Sequence, residues 1–253
     1  MSNLKNPILF ASDFDGTFYF ERSTHPFFNR DLSAIRQFQK KGHLFGVCTG
    51  RSLDGVQVTS SKLPDFDFWI LSSGALILDK NRKKLYEKNL TFDTVVKIWK
   101  QFREEAAFLF MADKQAYVLS KEVFPVIGIQ DITELSKIPL CSMSLTASNE
   151  LEAEKITAII NTIYSSTVTA FQNVNHIDIS PKGCSKGNAI SFLKNHFGLM
   201  TCCGIGDSYN DIPLLESVEH AFTFYHSPAK VKEKAETLVT NLSEALFCAL
   251  SFT

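Results

Sequence analysis

The stretch Ile8–Thr17, ILFASDFDGT, sets a short apolar run directly against two carboxylates and a Gly-Thr pair. Ile8–Ala11 is apolar at every position, which suits a strand of a parallel sheet covered on both faces. In extended chain, residues two apart share a face. Asp13 and Asp15 are therefore expected to point into one space while Phe14 turns to the core. Two close carboxylates repel, which raises one pKa unless a cation neutralises them. Such a pair suits a division of labour between an ionised nucleophile and a proton donor. Gly16 frees the backbone to turn, and Thr17 offers a hydroxyl and an amide to an anion. A bare Asp-x-Asp is more often an acidic turn. The strand before it and the Gly-Thr after it favour a functional reading.

Working outward, Leu44–Cys48, Phe68–Leu71 and Cys202–Ile205 are apolar runs of the same kind. Helical patterns lie between them. Asn29 or Asp31 is placed to cap a helix through Lys41, and Ser185 one through His196. Ser227-Pro228 opens a helix to Ala235, and a last helix covers Asn241–Leu250. This alternation predicts an α/β domain with a parallel sheet. The middle of the chain reads differently. A hairpin, Leu76–Leu78 with Lys84–Tyr86, precedes an amphipathic helix over Phe92–Glu105. Strand-like stretches follow at Phe108–Met111, Ala116–Leu119 and Met143–Thr146, then a helix over Glu150–Tyr164 and strands at Val168–Phe171 and His176–Ile179. That order is α+β. It predicts an inserted domain over residues 85–181, with the parallel-sheet core formed by 1–84 and 182–253.

Three further constellations sit at strand ends. Thr49-Gly50-Arg51 closes the Leu44–Cys48 run; a hydroxyl beside a helix N-terminus suits an anion, and a plain helix cap explains it equally well. In Ser185-Lys186-Gly187-Asn188, Lys186 falls in the first turn of a helix, where the macrodipole disfavours a cation. A phosphate or a carboxylate would offset that cost, and Lys182 competes for the same role. In Gly206-Asp207-Ser208-Tyr209-Asn210-Asp211, the two acids are spaced to share one helix face and repel. A hard cation such as magnesium, which takes oxygen ligands, makes that spacing favourable. All four constellations share the carboxyl ends of predicted parallel strands, where open α/β sheets bind ligands. Together they supply the groups that phosphoryl transfer needs.

Bulk properties narrow the classes. The 253 residues are 45% apolar and 21% charged with a net charge of -1, a balance that does not suggest a nucleic-acid surface. No apolar run is long enough to span a bilayer. The Met1–Pro7 start with its short Ile8–Ala11 run lacks a signal-peptide core, so a cytoplasmic protein is expected. The cysteines show no CxxC spacing and read as buried reduced thiols, and the histidines lack metal-ligand spacing. Phe108–Met111 and Tyr117 are placed to line a substrate mouth, although core packing explains them more simply.

The four motifs, DFDGT, CTGR, SPKGCSKGNAI and GIGDSYNDIPLL, with ILSSGALI between the second and third, resemble the haloacid dehalogenase-like hydrolases. The likeness is to the Cof-type sugar-phosphatase branch. It implies a Rossmann-like core with an inserted C2-type α/β cap. It further implies that Asp13 attacks phosphorus and forms an aspartyl-phosphate, and that Asp15 serves as acid and then base. Thr49 binds the phosphoryl group, with Thr17, Gly50, Arg51 and Asn210 as further phosphate-site residues. Lys186, not Lys182, orients nucleophile and phosphate. Magnesium is held by Asp13, the Asp15 carbonyl and Asp207, supported by Asp211. The cap selects the leaving group. Ser73 departs from the family pattern, where Asn often precedes the glycine. Phe224–Ser227 replaces a common Gly-Asn-Ala turn, and Cys184 a common Val. The expected activity is hydrolysis of a small phosphorylated metabolite such as a sugar phosphate, by a monomer, with no nucleic-acid or membrane partner. The alternatives are a phosphomannomutase-like mutase, which GDSYND fits less well, and a non-catalytic phospho-ligand module.

Overall fold

In the computed structural model, which describes residues 6–21, 23–59, 63–120 and 125–252, β1 (Ile8–Ser12) is buried along its whole length. It pairs in parallel with two later strands, Ile8 opposite Thr201 on one side and Leu9 opposite Leu44 on the other. The elements up to the insertion are α1 (Asn29–Lys40), β2 (Leu44–Cys48), α2 (Leu53–Gln57), β3 (Phe68–Leu71), β4 (Leu76–Asp79) and β5 (Lys84–Glu87). The cap follows: α3 (Phe92–Phe102), β6 (Ala106–Ala112), β7 (Ala116–Val118), β8 (Ile127–Gly128), β9 (Leu140–Ala147), α4 (Glu150–Ile163), β10 (Val168–Asn173) and β11 (His176–Pro181). The chain then returns through α5 (Lys186–Phe197), β12 (Thr201–Ile205), α6 (Ile212–Leu215), β13 (His220–Phe224), α7 (Ala229–Lys232), β14 (Thr237–Val239) and α8 (Leu242–Ala249).

Eight strands form the core sheet in the order β14-β13-β12-β1-β2-β3-β4-β5. The β14-to-β3 portion is parallel, and β4 and β5 extend it antiparallel. Alternation along β1 explains why both faces are apolar. Ile8 and Phe10 pack into one layer, where the Phe10 ring stacks on Phe45 and Phe222 with centroids 5.9 Å away in each case. Leu9 and Ala11 point to the other layer, against Ile190 and Leu193 of α5. The structure is thus a Rossmann-like parallel-sheet core with a cap.

The cap sheet runs β10-β11-β9-β6-β7-β8 and is antiparallel except for β7 with β8. Val95 and Ile98 of α3 and Ile156 and Ile160 of α4 pack with Phe110, Met143 and Ile179 of that sheet. The alternate residues of β6, Leu109 and Met111, line the cleft toward the core. Phe108 and Phe110 are core residues of the cap, and Tyr117 packs against the same cluster.

Several elements differ from the sequence reading. The strand that an 84/85 boundary divides is continuous, and Tyr86 pairs with Ile77 of β4. The chain therefore leaves the core sheet after Glu87. Residues 1–5 and 253, assigned to the core from sequence, lie outside the described residues. Neither Asn29 nor Asp31 caps α1, which begins after Phe28 without a side-chain cap. Instead the buried Asp31 carboxylate accepts the Ser243 N–H at 2.9 Å, joining α1 to the start of α8. The helix expected to reach Ala235 is one turn, in which Val231 is the buried residue.

Candidate active site

Asp13 follows β1 directly, and its N–H continues the ladder to the Ile205 carbonyl at 2.9 Å. The residue is 5% exposed, and its Oδ1 accepts from Lys186 Nζ at 2.6 Å. Phe14 turns inward and stacks on Tyr19. Asp15 stands in the opposite setting. Its side chain is 47% exposed, and Arg51 holds both oxygens at 2.7 Å in a two-pronged pair. Both acids line one cavity, but one is paired with a buried ammonium and the other with a guanidinium at the mouth. Arg51 is itself anchored on the Gly55 carbonyl at 2.9 Å and lies over the Phe14 and Tyr19 rings.

Gly16 adopts φ +81°, and a Cβ there would come within 2.7 Å of Asp207 Oδ2. The glycine thus allows both the turn and the close approach of the Asp207 loop. Thr17 is buried and its hydroxyl donates to Asp207 Oδ1 at 3.0 Å. Sequence reasoning offered that hydroxyl to an anion; here it steadies a carboxylate.

Thr49 is buried at the end of β2, where its hydroxyl accepts the Arg51 N–H at 3.2 Å. It does not cap the following helix, which starts at Leu53 and is capped by Ser52. Gly50 faces the cap: a Cβ there would lie 2.7 Å from Asp178 Oδ2.

Lys186 is the first residue of α5, behind the Ser185 cap that accepts the Asn188 N–H. It is 2% exposed and bridges Asp13 and Asp211, the latter at 2.5 Å. Burial works against its charge, but Asp13 and Asp211 outweigh that and hold its pKa well above the ordinary lysine value. This settles which lysine reaches the centre, since Lys182 is exposed and offers its carbonyl to Lys88.

Asp207 follows β12, and Asp211 ends a short 3-10 turn, Tyr209–Asp211, capped by Ser208. The two acids therefore do not share a helix face. Asp211 is fully buried; its Oδ2 accepts the Asp207 and Ser208 N–H groups at 3.0 and 3.1 Å while Oδ1 meets Lys186. Asp13, Asp207 and Asp211 each offer an oxygen within 4.8 Å of the others. Burial, followed by the charge of Asp211, pushes the Asp207 carboxyl up to about 6. Burial and the charges of Asp211 and Asp207 raise Asp13 well above the carboxylate range against the pull of Lys186. Buried, mutually repelling carboxylates with oxygen donors fit a hard divalent cation.

Sequence reasoning missed Asp178. It lies on cap strand β11, yet its Oδ2 reaches the core at Ser73 Oγ (3.4 Å) and Asn210 Nδ2 (3.5 Å). The available signal was one acid among the apolar residues of His176–Ile179. Ser73 adopts φ +52°, a region that favours Gly and Asn. Its N–H donates to the Thr49 carbonyl at 3.0 Å, so the residue that departs from the family pattern ties the Thr49 loop to Asp178. In the other departing stretch, Ser227 Oγ lies 2.9 Å from Thr223 Oγ1, which also meets the Gly206 carbonyl at 2.6 Å. A polar contact therefore persists behind the Asp207 loop. The cap also rests on the core through the Asp54 N–H, which donates to the Lys114 carbonyl at 3.0 Å, and the Lys84–Asp113 pair at 3.0 Å. Between core and cap lies a cavity of about 660 Å³.

The chain matches the haloacid dehalogenase-like hydrolases over residues 10–245. A Haemophilus influenzae relative is 23% identical over 244 residues, covering 92% of each chain. The HMP-PP phosphatase of Cronobacter sakazakii is 20% identical over 217 residues, covering 81% of this chain and 79% of its own. Among solved structures, a haloacid dehalogenase-like hydrolase from B. subtilis superposes with a TM-score of 0.84 at 17% identity, covering 96% of this chain and 98% of its own. The subclass IIB sugar phosphatase BT4131 superposes at 0.77 with 19% identity, covering 98% and 99%.

Proposed function

Because the chain belongs to the haloacid dehalogenase-like hydrolases, we propose that it is a magnesium-dependent phosphatase of a small phosphorylated metabolite, with Asp13 as the nucleophile. One observation carries this reading. Asp13 is held by a buried lysine beside the buried Asp211 and the half-buried Asp207, and it opens onto a cavity large enough for a metabolite. The Asp13 carboxylate, the Asp15 carbonyl and Asp207 would hold the magnesium ion, with Asp211 and Asn210 supporting them. When bound, magnesium supplies positive charge against the phosphoryl oxygens and the clustered carboxylates.

Lys186 fixes one Asp13 oxygen and thereby aims the other. That oxygen attacks phosphorus. As the new O–P bond forms, the bond to the leaving oxygen breaks, and the leaving oxygen keeps the electron pair and takes a proton from Asp15. Water then gives a proton to the Asp15 carboxylate and attacks phosphorus. The Asp13–phosphorus bond breaks and inorganic phosphate leaves. Thr49 and the Gly50 backbone bind phosphoryl oxygens. Arg51 holds Asp15 at the mouth of the cavity, and Thr17 keeps Asp207 in place.

The direct test is Asp13→Asn, which keeps the shape and removes the nucleophilic charge. Magnesium-dependent hydrolysis of 4-nitrophenyl phosphate is expected to vanish. Undiminished hydrolysis by the folded variant overturns the mechanism.

A further inference from the structure

The cavity over Asp13 has two unlike kinds of wall. The cap contributes an apolar side, with Leu109 and Met111 from β6 and Pro125 and Val126 before β8. Their orientation follows from strand alternation, since Phe108 and Phe110 are committed to the cap core. The remaining wall carries carboxylates besides the catalytic pair. Glu21 and Asp54 come from the core, and Asp178 from β11. Arg51 also lies on this wall, but Asp15 already occupies its guanidinium. The contacts that Asp178 makes to Ser73 and Asn210 are long, at 3.4 and 3.5 Å, so its charge is lightly compensated.

These walls discriminate by chemistry. An anionic group on the leaving side would enter a partly desolvated cleft beside like charges, which is unfavourable for both partners. An ammonium, or N–H and O–H donors, would meet acceptors there. A flat or apolar face would displace water from the β6 wall. We propose that the leaving group this cavity takes is uncharged or cationic, carries N–H or O–H donors and has an apolar face, and that Glu21, Asp54 and Asp178 reject esters bearing a second anionic group. The assignment rests on the phosphatase reading above and deepens it. A flat amine or alcohol fits these walls better than a sugar, which has donors but little apolar face.

Three aryl phosphates test it: 4-(aminomethyl)phenyl, 4-(hydroxymethyl)phenyl and 4-(carboxymethyl)phenyl phosphate. A methylene insulates the reacting oxygen from the polar substituent in each. The expected kcat/KM order is amine, then alcohol, then carboxylate. The first should exceed the last by about tenfold or more at low salt, and the gap should narrow at high salt. Combining Glu21→Gln, Asp54→Asn and Asp178→Asn should shrink the ratio while turnover still depends on Asp13. Equal or faster hydrolysis of the carboxylate ester by the wild type overturns the proposal, whether or not the triple variant folds. A folded triple variant with the wild-type ratio overturns it for these residues. Failure of the wild type to hydrolyse any of the three overturns the phosphatase reading itself, and the leaving-group assignment with it.

Discussion

Lys186 Nζ stands 2.6 Å from Asp13 Oδ1, with both side chains shut away from water. That single ammonium faces a cluster of three carboxylates, so negative charge remains in excess for a cation to offset. Without the ammonium, Asp13 and Asp211 would be buried and unpaired. Removing one partner of a buried pair costs about 3–5 kcal/mol. Lys186→Met is expected to lose about that much unfolding free energy, and to slow aryl phosphate hydrolysis by about a hundredfold or more. Urea unfolding and steady-state kinetics on one preparation check both. Wild-type values in either would contradict the role given to this pair.

Asp207 carries the magnesium prediction. Its carboxyl, pushed up to about 6 by burial and by Asp211, binds a proton and a cation in competition. Magnesium affinity is expected to weaken as the pH falls through about 6. The ion should stabilise the folded chain by about 2.7 kcal/mol when its free concentration stands about a hundredfold above Kd. Asp207→Asn should remove most of that stabilisation. Unfolding midpoints with and without magnesium, across pH, read this without relying on turnover.

Gly74 and Gly50 are both crowded, for different reasons. Gly74 has φ +93°, and a Cβ would meet the Ser185 carbonyl oxygen at 2.2 Å. Backbone on both sides leaves no room to yield, so Gly74→Ala is expected to destabilise by about 3 kcal/mol. At Gly50 the neighbour is the tip of Asp178, 2.7 Å away. Gly50→Ala should displace that carboxylate and raise KM, with stability within about 1 kcal/mol of the parent. Thermal unfolding alongside KM and kcat separates the two. Matching stability losses would rule out this distinction.

The core was legible because its central strands are apolar on both faces and each is followed by one of the polar residues gathered at the site. Asp13, Thr49 and Asp207 stand at β1, β2 and β12 for that reason, and Ser185 announced the helix that carries Lys186. Partnerships were not legible. The Asp15–Arg51 pair spans 36 positions and the Ser73–Asp178 contact spans 105. No local pattern encodes such separations. The Thr17–Asp207 contact was not legible, because a turn hydroxyl donates to a bound phosphate and to a neighbouring carboxylate alike. β14, three residues long, is too short for periodicity to detect. Asp31 is an acid in the first turn of a helix, where capping is the usual reading, and only the fold shows that it serves α8 instead.

His43 supplies a pH dependence away from the site. Its Nδ1 accepts the Ile8 N–H at 3.2 Å, at the first residue of β1. The ring is 3% exposed and lies against Phe38, with centroids 4.6 Å apart. Burial, with Lys41 adding to it, holds its pKa below the ordinary 6.5. The neutral ring has a lone pair to accept the Ile8 N–H; the protonated ring has none. As the pH falls through 6.5 the unfolded chain takes up this proton before the folded chain does. The contribution of His43 is therefore fully present above 6.5 and is lost as the pH falls toward the folded-state value. His43→Gln keeps an acceptor and does not titrate. Because the acids of the cluster titrate in both proteins, the difference between the two curves isolates the histidine. Wild-type stability should decline more steeply than that of the variant below 6.5, read as urea midpoints across pH. Parallel curves would assign the acid sensitivity to other groups.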